Sequence, residues 1–146
     1  MSFFDAIDLA ASGLTAERVR MDVTSENLAN AQTTQGANGQ PYRRQEVVLQ
    51  QVGNTFGTQL AGALGQSGTT PGGVQVAGIV SDPTPDQLVY DPGHPGANAQ
   101  GYVRMPNVNP VTEMTDLIDA SRAYEANVTA MQSAKQMFSR TLDLLR

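Results

Sequence analysis

The sequence lacks cysteine and tryptophan and has few aromatic or basic residues. Without cysteine among its 146 residues, no disulfide framework and no thiolate metal site can be proposed. Aromatic residues make up only 5% of the chain, so we expect a modest core. Acidic residues outnumber basic ones by 14 to 9, which gives a net charge of −5. This balance argues against a nucleic-acid partner, because phosphates require a basic face, and it disfavours anionic membrane surfaces for the same reason.

The sequence also lacks the signals of targeting to a membrane. Its N-terminus shows no basic segment followed by an apolar run, so we expect no cleaved secretory signal peptide. The uncharged stretch 47–81 is rich in glycine, glutamine and threonine and is too polar to span a bilayer. We therefore expect a soluble chain without direct membrane insertion. If it leaves the cytoplasm, it does so by a route that needs no cleaved signal.

Glycine and proline are almost absent from both ends of the chain. All eight prolines lie between Pro41 and Pro110, and thirteen of the fourteen glycines lie between Gly36 and Gly101. This composition predicts a helix, then strands and loops, then a second helix. We divide the chain into an N-terminal helix with its linker (1–35), an inserted β-rich region (36–108) and a C-terminal helix (109–146).

Residues 109–146 are predicted to form one uninterrupted helix. Asn109 is a suitable N-cap, and Pro110 follows at the first helical position, where its missing N–H does no harm. Apolar residues then recur at alternating steps of three and four, the spacing of a heptad seam. The predicted seam consists of Met114, Leu117, Tyr124, Val128, Met131, Phe138, Leu142 and Leu145. A second face carries the small residues Ala123, Ala126, Ala130 and Ala134.

The first part of the chain, from Ser2 to about Ala31, mirrors the last. Its predicted seam consists of Phe4, Ile7, Leu14, Met21 and Leu28. A second face carries small residues here too, namely Ala6, Ala10 and Gly13. The pattern predicts an α+β fold in which the two long heptad helices pack as a coiled-coil-like pair, with a small antiparallel β subdomain inserted between them. Two seams and two alanine faces exceed what one hairpin can bury, so we expect the seams to form an assembly interface. A self-contained two-helix hairpin is the alternative.

The sequence pattern in the middle of the chain predicts short strands at 42–52, 74–80, 88–90 and 102–105. We expect these strands to form one small antiparallel sheet of three to five strands. Residues 53–73 are low in complexity and rich in glycine, so we predict a mobile loop. Arg43 and Arg44 are interpreted as a solvated edge, with an anion site as the alternative.

The sequence offers one candidate for acid–base or metal chemistry. His94 is the single histidine and lies in a proline- and glycine-rich run (DPGHP, 91–95) that specifies consecutive turns. A histidine beside Asp91 could serve as a general base or a metal ligand. No second histidine, ligand-spaced carboxylate pair or nucleophile motif accompanies it. We therefore interpret His94 as part of a rigid turn and expect no catalytic residue, no cofactor and no metal site.

Several motifs resemble the axial proteins of the bacterial flagellum, that is, the rod, hook and hook-associated subunits. The first is SENLANA at 25–31, near the end of the first helix. A plain physical interpretation also exists, because asparagine tolerates the left-handed and capping conformations found where helices end. Further stretches (PYRR at 41–44, YDPGHP at 90–95, GYVRMPNVN at 101–109 and SRAYEAN at 121–127) are similar to the proximal-rod subunits of this family. The signature residues are Asn27, Asn30, Asp91, Pro92, Gly93, His94, Pro95, Tyr124 and Asn127. Residues 96–99 depart from the family pattern because they are neutral where it is usually acidic.

The resemblance implies a structural subunit that assembles helically into the rod, the drive shaft that transmits motor torque across the periplasm. The partners it implies are further copies of the chain, other rod subunits, the adaptor between the MS ring and the rod, and the flagellar type III export apparatus. It places the terminal helices in the inner layer of the tube and the inserted sheet outside. A cytoplasmic coiled-coil adaptor is the alternative function, which explains the heptads but not the asparagine signature.

Overall fold

The computed structural model describes residues 3–36, 38–52 and 72–144, with the side chains of Phe3, Phe4 and Leu144 left aside. The elements are α1 (Phe3–Ala29), β1 (Gln45–Gln51), β2 (Val74–Ser81), β3 (Gln87–Tyr90), β4 (Tyr102–Met105) and α2 (Pro110–Leu144). This order confirms the predicted α+β fold of two long helices flanking a small antiparallel β region. The predicted loop 53–73 lies outside the described residues except for Gly72 and Gly73, as do Leu145 and the side chain of Phe4.

The start of α2 follows the capping chemistry that the sequence predicts. The side-chain oxygen of Asn109 accepts a hydrogen bond from the N–H of Val111 at 3.0 Å, and its carbonyl accepts the N–H of Glu113 at 3.0 Å. Pro110 is the first helical residue, where its ring already has the φ that a helix requires. The helix then continues for 35 residues without a breaker.

The strands form two separate two-stranded sheets, β1 with β2 and β3 with β4, and not the single sheet that the sequence predicts. In the second sheet β3 and β4 are antiparallel, with Leu88 opposite Arg104 and Tyr90 opposite Tyr102. The rings of Tyr90 and Tyr102 pack edge to face, with their centroids 5.3 Å apart. All four residues of β3 are exposed, whereas Val103 in β4 is 2% exposed, so this sheet packs through β4.

The chain forms two compact units. The first comprises Met1–Val19, Val48–Gly78 and Ala120–Arg146, and the second comprises Arg20–Val47 and Ile79–Asp119. In the first unit α1 approaches α2 closely at Gly13, where an added Cβ would lie 2.8 Å from Nδ2 of Asn127. The hydroxyl of Ser12 accepts a hydrogen bond from the N–H of Val74 at 3.2 Å, which holds the start of β2 against α1.

Small side chains form much of the buried apolar surface of the first unit. Ala10, Ala16, Ala120 and Ala134 are all less than 9% exposed. Alanine allows two backbones to approach closely, and these four positions are buried more completely than the larger seam residues. On the predicted small-residue face of α2, however, Ala126 and Ala130 are exposed. The second unit has a different core, which contains Val23, Val103, Pro106 and Val108 together with the buried polar residues described below.

Candidate functional site

The most completely buried polar side chain of α1 is Asn27, which is 1% exposed. Its amide nitrogen donates to the carbonyl of Gln45 at 2.8 Å and to Oε2 of Glu113 at 2.9 Å. Its amide oxygen accepts the hydroxyl of Tyr42 at 2.9 Å and the N–H of Gln45 at 2.9 Å. These contacts use every donor and acceptor of the Asn27 amide, which explains how this polar group is tolerated in a core. Asn27 therefore pairs with the start of β1 as a neighbouring strand would.

The second buried group is Glu113 in the first turn of α2, which is also 1% exposed. Its Oε1 accepts a charge-assisted hydrogen bond from Nε of Arg44 at 2.6 Å. Arg44 further pairs with Glu46, and its Nη2 lies 3.4 Å from a carboxylate oxygen of Asp116. Burial lowers the pKa of Arg44, but the hydrogen bond and charge of Glu113, with Glu46, raise it above its usual value overall.

Asn27, Tyr42, Arg44 and Glu113 form one connected cluster, which we call the polar junction. It joins the last turns of α1, the segment leading into β1 and the first turn of α2. Burial raises the pKa of Tyr42 to about 12, and the charges of Glu26 and Glu113 add to this shift. The phenol therefore remains a hydrogen-bond donor at neutral pH, as the contact with Asn27 requires.

A second asparagine extends the polar junction toward the loop after β2. The side-chain oxygen of Asn107 accepts the N–H of Arg44 at 2.9 Å, and its nitrogen donates to the carbonyl of Thr84 at 3.2 Å. The N–H of Asp82 in turn donates to the carbonyl of Arg44 at 2.8 Å. Hydrogen bonds to Thr84, with the nearby arginines, hold the pKa of Asp82 below its usual value.

The polar junction corrects two interpretations of the sequence. Asn27 does not adopt a left-handed conformation, because no described residue other than glycine has a positive φ. Its backbone is helical, and its role lies in the hydrogen bonds of its side chain. Arg44 does not belong to a solvated edge, because its side chain is only 19% exposed, whereas Arg43 is 48% exposed. No sequence pattern identified Glu113 as a buried residue, since an acidic residue in the first turn of a helix ordinarily complements the helix dipole at the surface.

The other signature asparagines make local contacts. Asn30 donates to the carbonyl of Glu26 at 3.0 Å and accepts the hydroxyl of Thr33 at 3.2 Å, which closes the turn after α1. Asn127 is half-buried against Gly13, and Tyr124, one turn earlier in α2, is also half-buried. Neither asparagine joins the polar junction.

The DPGHP segment forms the consecutive turns expected from its sequence. The carbonyl of Asp91 accepts the N–H of His94 at 3.3 Å, and the carboxylate of Asp91 accepts the N–H of Gly93 at 3.1 Å. The imidazole Nδ1 of His94 accepts the N–H of Gly96 at 3.0 Å, so this nitrogen is used within the turn. Pro92 and Pro95 are both exposed. Among the described residues, no group of three carboxylates or imidazoles could hold a metal ion.

The seam residues divide into a half-buried set and an exposed set. The half-buried set consists of Ile7, Leu14, Met21, Leu28, Leu117, Tyr124, Val128 and Met131. Met114 is 46% exposed, Phe138 38% and Leu142 51%, and Met137 beside the seam is 65% exposed. The distal part of α2 therefore presents apolar side chains to solvent. In the part of the chain that the structure describes, neither helix is long and apolar enough to cross a membrane.

Comparison with known proteins identifies the family. Residues 7–38 match the family model for flagella basal body rod proteins, and residues 99–144 match the model for the C-terminal region of flagellar basal body rod FlgEFG proteins. The chain belongs to the flagellar basal-body rod family.

Its relatives within that family are the FlgC rod proteins. The chain is 48% identical to flagellar basal-body rod protein FlgC of Bacillus subtilis (strain 168) over 148 aligned positions, which cover 99% of each chain. It is 44% identical to FlgC of Yersinia enterocolitica over 99% of this chain and 98% of the relative. The FlgC protein of Borreliella burgdorferi is 43% identical over all of this chain. The resemblance seen in the signature motifs is thereby confirmed.

Proposed function

We propose that this chain is a structural subunit of the proximal rod of the flagellar basal body. Its copies assemble helically, together with other rod subunits and with the adaptor that joins the rod to the MS ring, into a shaft that transmits motor torque across the periplasm. Membership of the rod family supports this function over the cytoplasmic coiled-coil adaptor. The observation on the molecule itself that carries the proposal is the exposed apolar surface of the distal part of α2.

The exposed side chains give the physical reason for assembly. Met137 and Leu142 are more than half exposed, and Phe138 lies one position after Met137 on the same helix. Burying such surface stabilises an assembly by about 25 cal/mol for each Å² of apolar area removed from water. Covering α2 with a neighbouring copy therefore lowers the free energy of the assembly. An interface between two different faces gives a ring where its rotation closes and an open helical filament where it does not, and the proposed rod is the open case.

The same surface explains coupled folding and assembly. An isolated helix in water depends on a packed face more than on its intrinsic propensity. The distal part of α2 has few buried residues, with Ala134 the last of them among the described residues. In the proposed function, subunits are exported unfolded by the flagellar type III apparatus and become fully ordered when they meet the growing rod. A chain without cysteine suits this route, because no disulfide has to form or break during export.

The test is a Leu142→Ala substitution in a strain whose own copy of the gene is deleted. Because export acts on the unfolded chain, we expect export to be unaffected, and because Leu142 is half exposed in the subunit, we expect rod assembly to fall. Truncation of a leucine that becomes packed in the rod removes roughly 2–5 kcal/mol per subunit interface. The measurement compares subunit in the periplasm with rod-containing basal bodies counted by electron microscopy.

The matched control is Thr129→Ala on the same helix. Thr129 is exposed and its hydroxyl only bonds back to the carbonyl of Glu125 at 2.9 Å, so we expect normal rods. If Leu142→Ala also builds rods at the wild-type level, the distal part of α2 is not an assembly interface. Failure of the wild-type chain to restore rods would contradict the proposed function itself.

A further inference from the structure

The second unit contains a polar groove that the polar junction does not use. The groove has a volume of about 160 Å³ and lies between the linker after α1 and the segment around β4. Its lining includes the polar side chains of Gln35, Gln40, Asn98, Tyr102 and Arg104. We call it the Arg104 groove. Arg104 is the one charged residue among the described residues that line it, in a chain whose net charge is −5.

Arg104 is held in place from one side by a buried carboxylate. The side chain of Asp86 is 5% exposed, and its Oδ2 lies 2.9 Å from Nη2 of Arg104. The other oxygen, Oδ1, is buried without a hydrogen-bond partner among the described residues and lies 3.8 Å from Nε of Arg43. Asp86 thus positions the guanidinium of Arg104 while occupying only part of its five N–H donors.

The guanidinium nevertheless remains open to a ligand. The side chain of Arg104 is 66% exposed, so most of it lies outside its ion pair with the buried Asp86. A fixed guanidinium with free donors suits a carboxylate, because the two groups can form parallel hydrogen bonds. The amides of Gln35, Gln40 and Asn98 can add donors beside it. The chemistry of the groove therefore suits a carboxylate-bearing partner.

The chain itself supplies such carboxylates at its surface. Asp8, Asp22, Asp119 and Glu125 are all exposed on the two helices. Copies with a net charge of −5 repel each other, and a contact between an acidic side chain of one copy and a basic site of the next offsets part of this repulsion. We propose that the Arg104 groove binds a carboxylate of a neighbouring copy of this chain. This inference rests on the proposed function, since it assumes that copies assemble side by side.

The single lysine of the chain, Lys135, makes a direct test possible. In a Lys135→Arg background, Arg104→Lys retains the charge and makes position 104 the only side-chain amine. Assembled basal bodies from a deletion strain carrying this variant are treated with a water-soluble carbodiimide. This reagent condenses an amine with a touching carboxylate to an amide and takes up the released water as a urea.

We expect a covalent dimer of the chain, in which position 104 is joined to an acidic residue of a second copy. Mass spectrometry identifies the two joined residues. The matched control is Lys135→Arg with Arg43→Lys, because Arg43 also approaches Asp86 but does not line the groove. Coupling to Asp86 within one chain can occur in both variants, whereas the dimer is expected only from position 104. Intramolecular product alone, or a link to a different protein, would overturn the proposal.

A loss of assembly provides an independent readout. Arg104→Gln keeps a hydrogen-bonding side chain but removes the charge, and we expect roughly tenfold fewer rods per cell. Arg43→Gln should leave the number of rods near the wild-type level. Rods at the wild-type level in Arg104→Gln cells would refute the groove as an interface while leaving the proposed function intact. If the wild-type chain itself restores no rods, the proposed function fails instead.

Discussion

Replacing Asn27 by alanine tests the polar junction at its most connected residue. The change removes four hydrogen bonds at once, to Tyr42, to both backbone groups of Gln45 and to Glu113. Three of the four contacts lie in part-buried surroundings, where water can recover some of the loss, and Glu113 keeps its contact with Arg44. Each buried polar group left unpaired costs about 1–3 kcal/mol, so we expect roughly 3–5 kcal/mol of destabilisation in total.

This loss is large against the roughly 5–15 kcal/mol by which ordinary domains are stable. The assay is urea unfolding of the purified chain, followed by circular dichroism and by amide exchange at residues of the second unit. We expect a lower unfolding midpoint and faster exchange in the segments that meet at the junction, namely the end of α1, the start of β1 and the first turn of α2.

The neighbouring Asn30→Ala is the matched control, since both asparagines belong to the same signature. The side chain of Asn30 contacts the carbonyl of Glu26 and the hydroxyl of Thr33, and its bond to Glu26 is exposed. We expect its loss to cost about 0.5–1.5 kcal/mol. If Asn27→Ala is no more destabilising than Asn30→Ala, the polar junction does not hold the second unit together.

Three further predictions concern single positions. Gly13→Ala should gain none of the roughly 1 kcal/mol of stability that helix propensity offers, because the new Cβ would meet Asn127 at 2.8 Å. In an Asn127→Ala background the same change should gain this stability. Chemical unfolding of the wild type, the two single variants and the double variant measures this coupling. Tyr42 has a pKa of about 12 in the folded chain, above its value of about 10 when unfolded, so its contribution to stability is complete below pH 10 and is lost as the pH rises toward 12. Tyr42→Phe should abolish this alkaline loss, and chemical unfolding at increasing pH measures this. His94→Asn should leave motility nearly intact, because its side-chain oxygen can accept the N–H of Gly96 as Nδ1 does; loss of motility with normal export and assembly would mean that His94 has another role.

The helices and most strand positions could be predicted because their signals are local. Asn109 and Pro110 mark the start of α2 within one residue, and the strand predicted at 102–105 matches β4. The number of sheets could not be predicted in the same way. Pairing depends on contacts between strands far apart in the chain, such as β1 with β2, and no local signal says which partner each strand selects.

The seams show a different limit of the sequence pattern. Heptad spacing identifies which residues share a face of a helix, but not how deeply each is buried in one subunit. Ala120 is 0% exposed, whereas Leu142 on the predicted seam is 51% exposed. Small residues let the helices approach until the larger side chains stand at the margin of the contact. The assignment of the seam to an assembly interface therefore stays a prediction, which the Leu142 experiment tests.

The adjacent arginines show how one dipeptide can take part in two separate sites. Successive side chains of an extended segment point to opposite sides, and Arg43 and Arg44 immediately precede β1. Arg44 turns to the buried carboxylate of Glu113, whereas Arg43 lies toward Asp86 and stays half exposed. A buried charge needs a partner of opposite sign, but Glu113 lies 69 positions further along the chain, so the sequence gives no indication that the pair exists. Interpreting both arginines as one solvated edge was therefore adequate for Arg43 and wrong for Arg44, and only the tertiary contact with Glu113 distinguishes them.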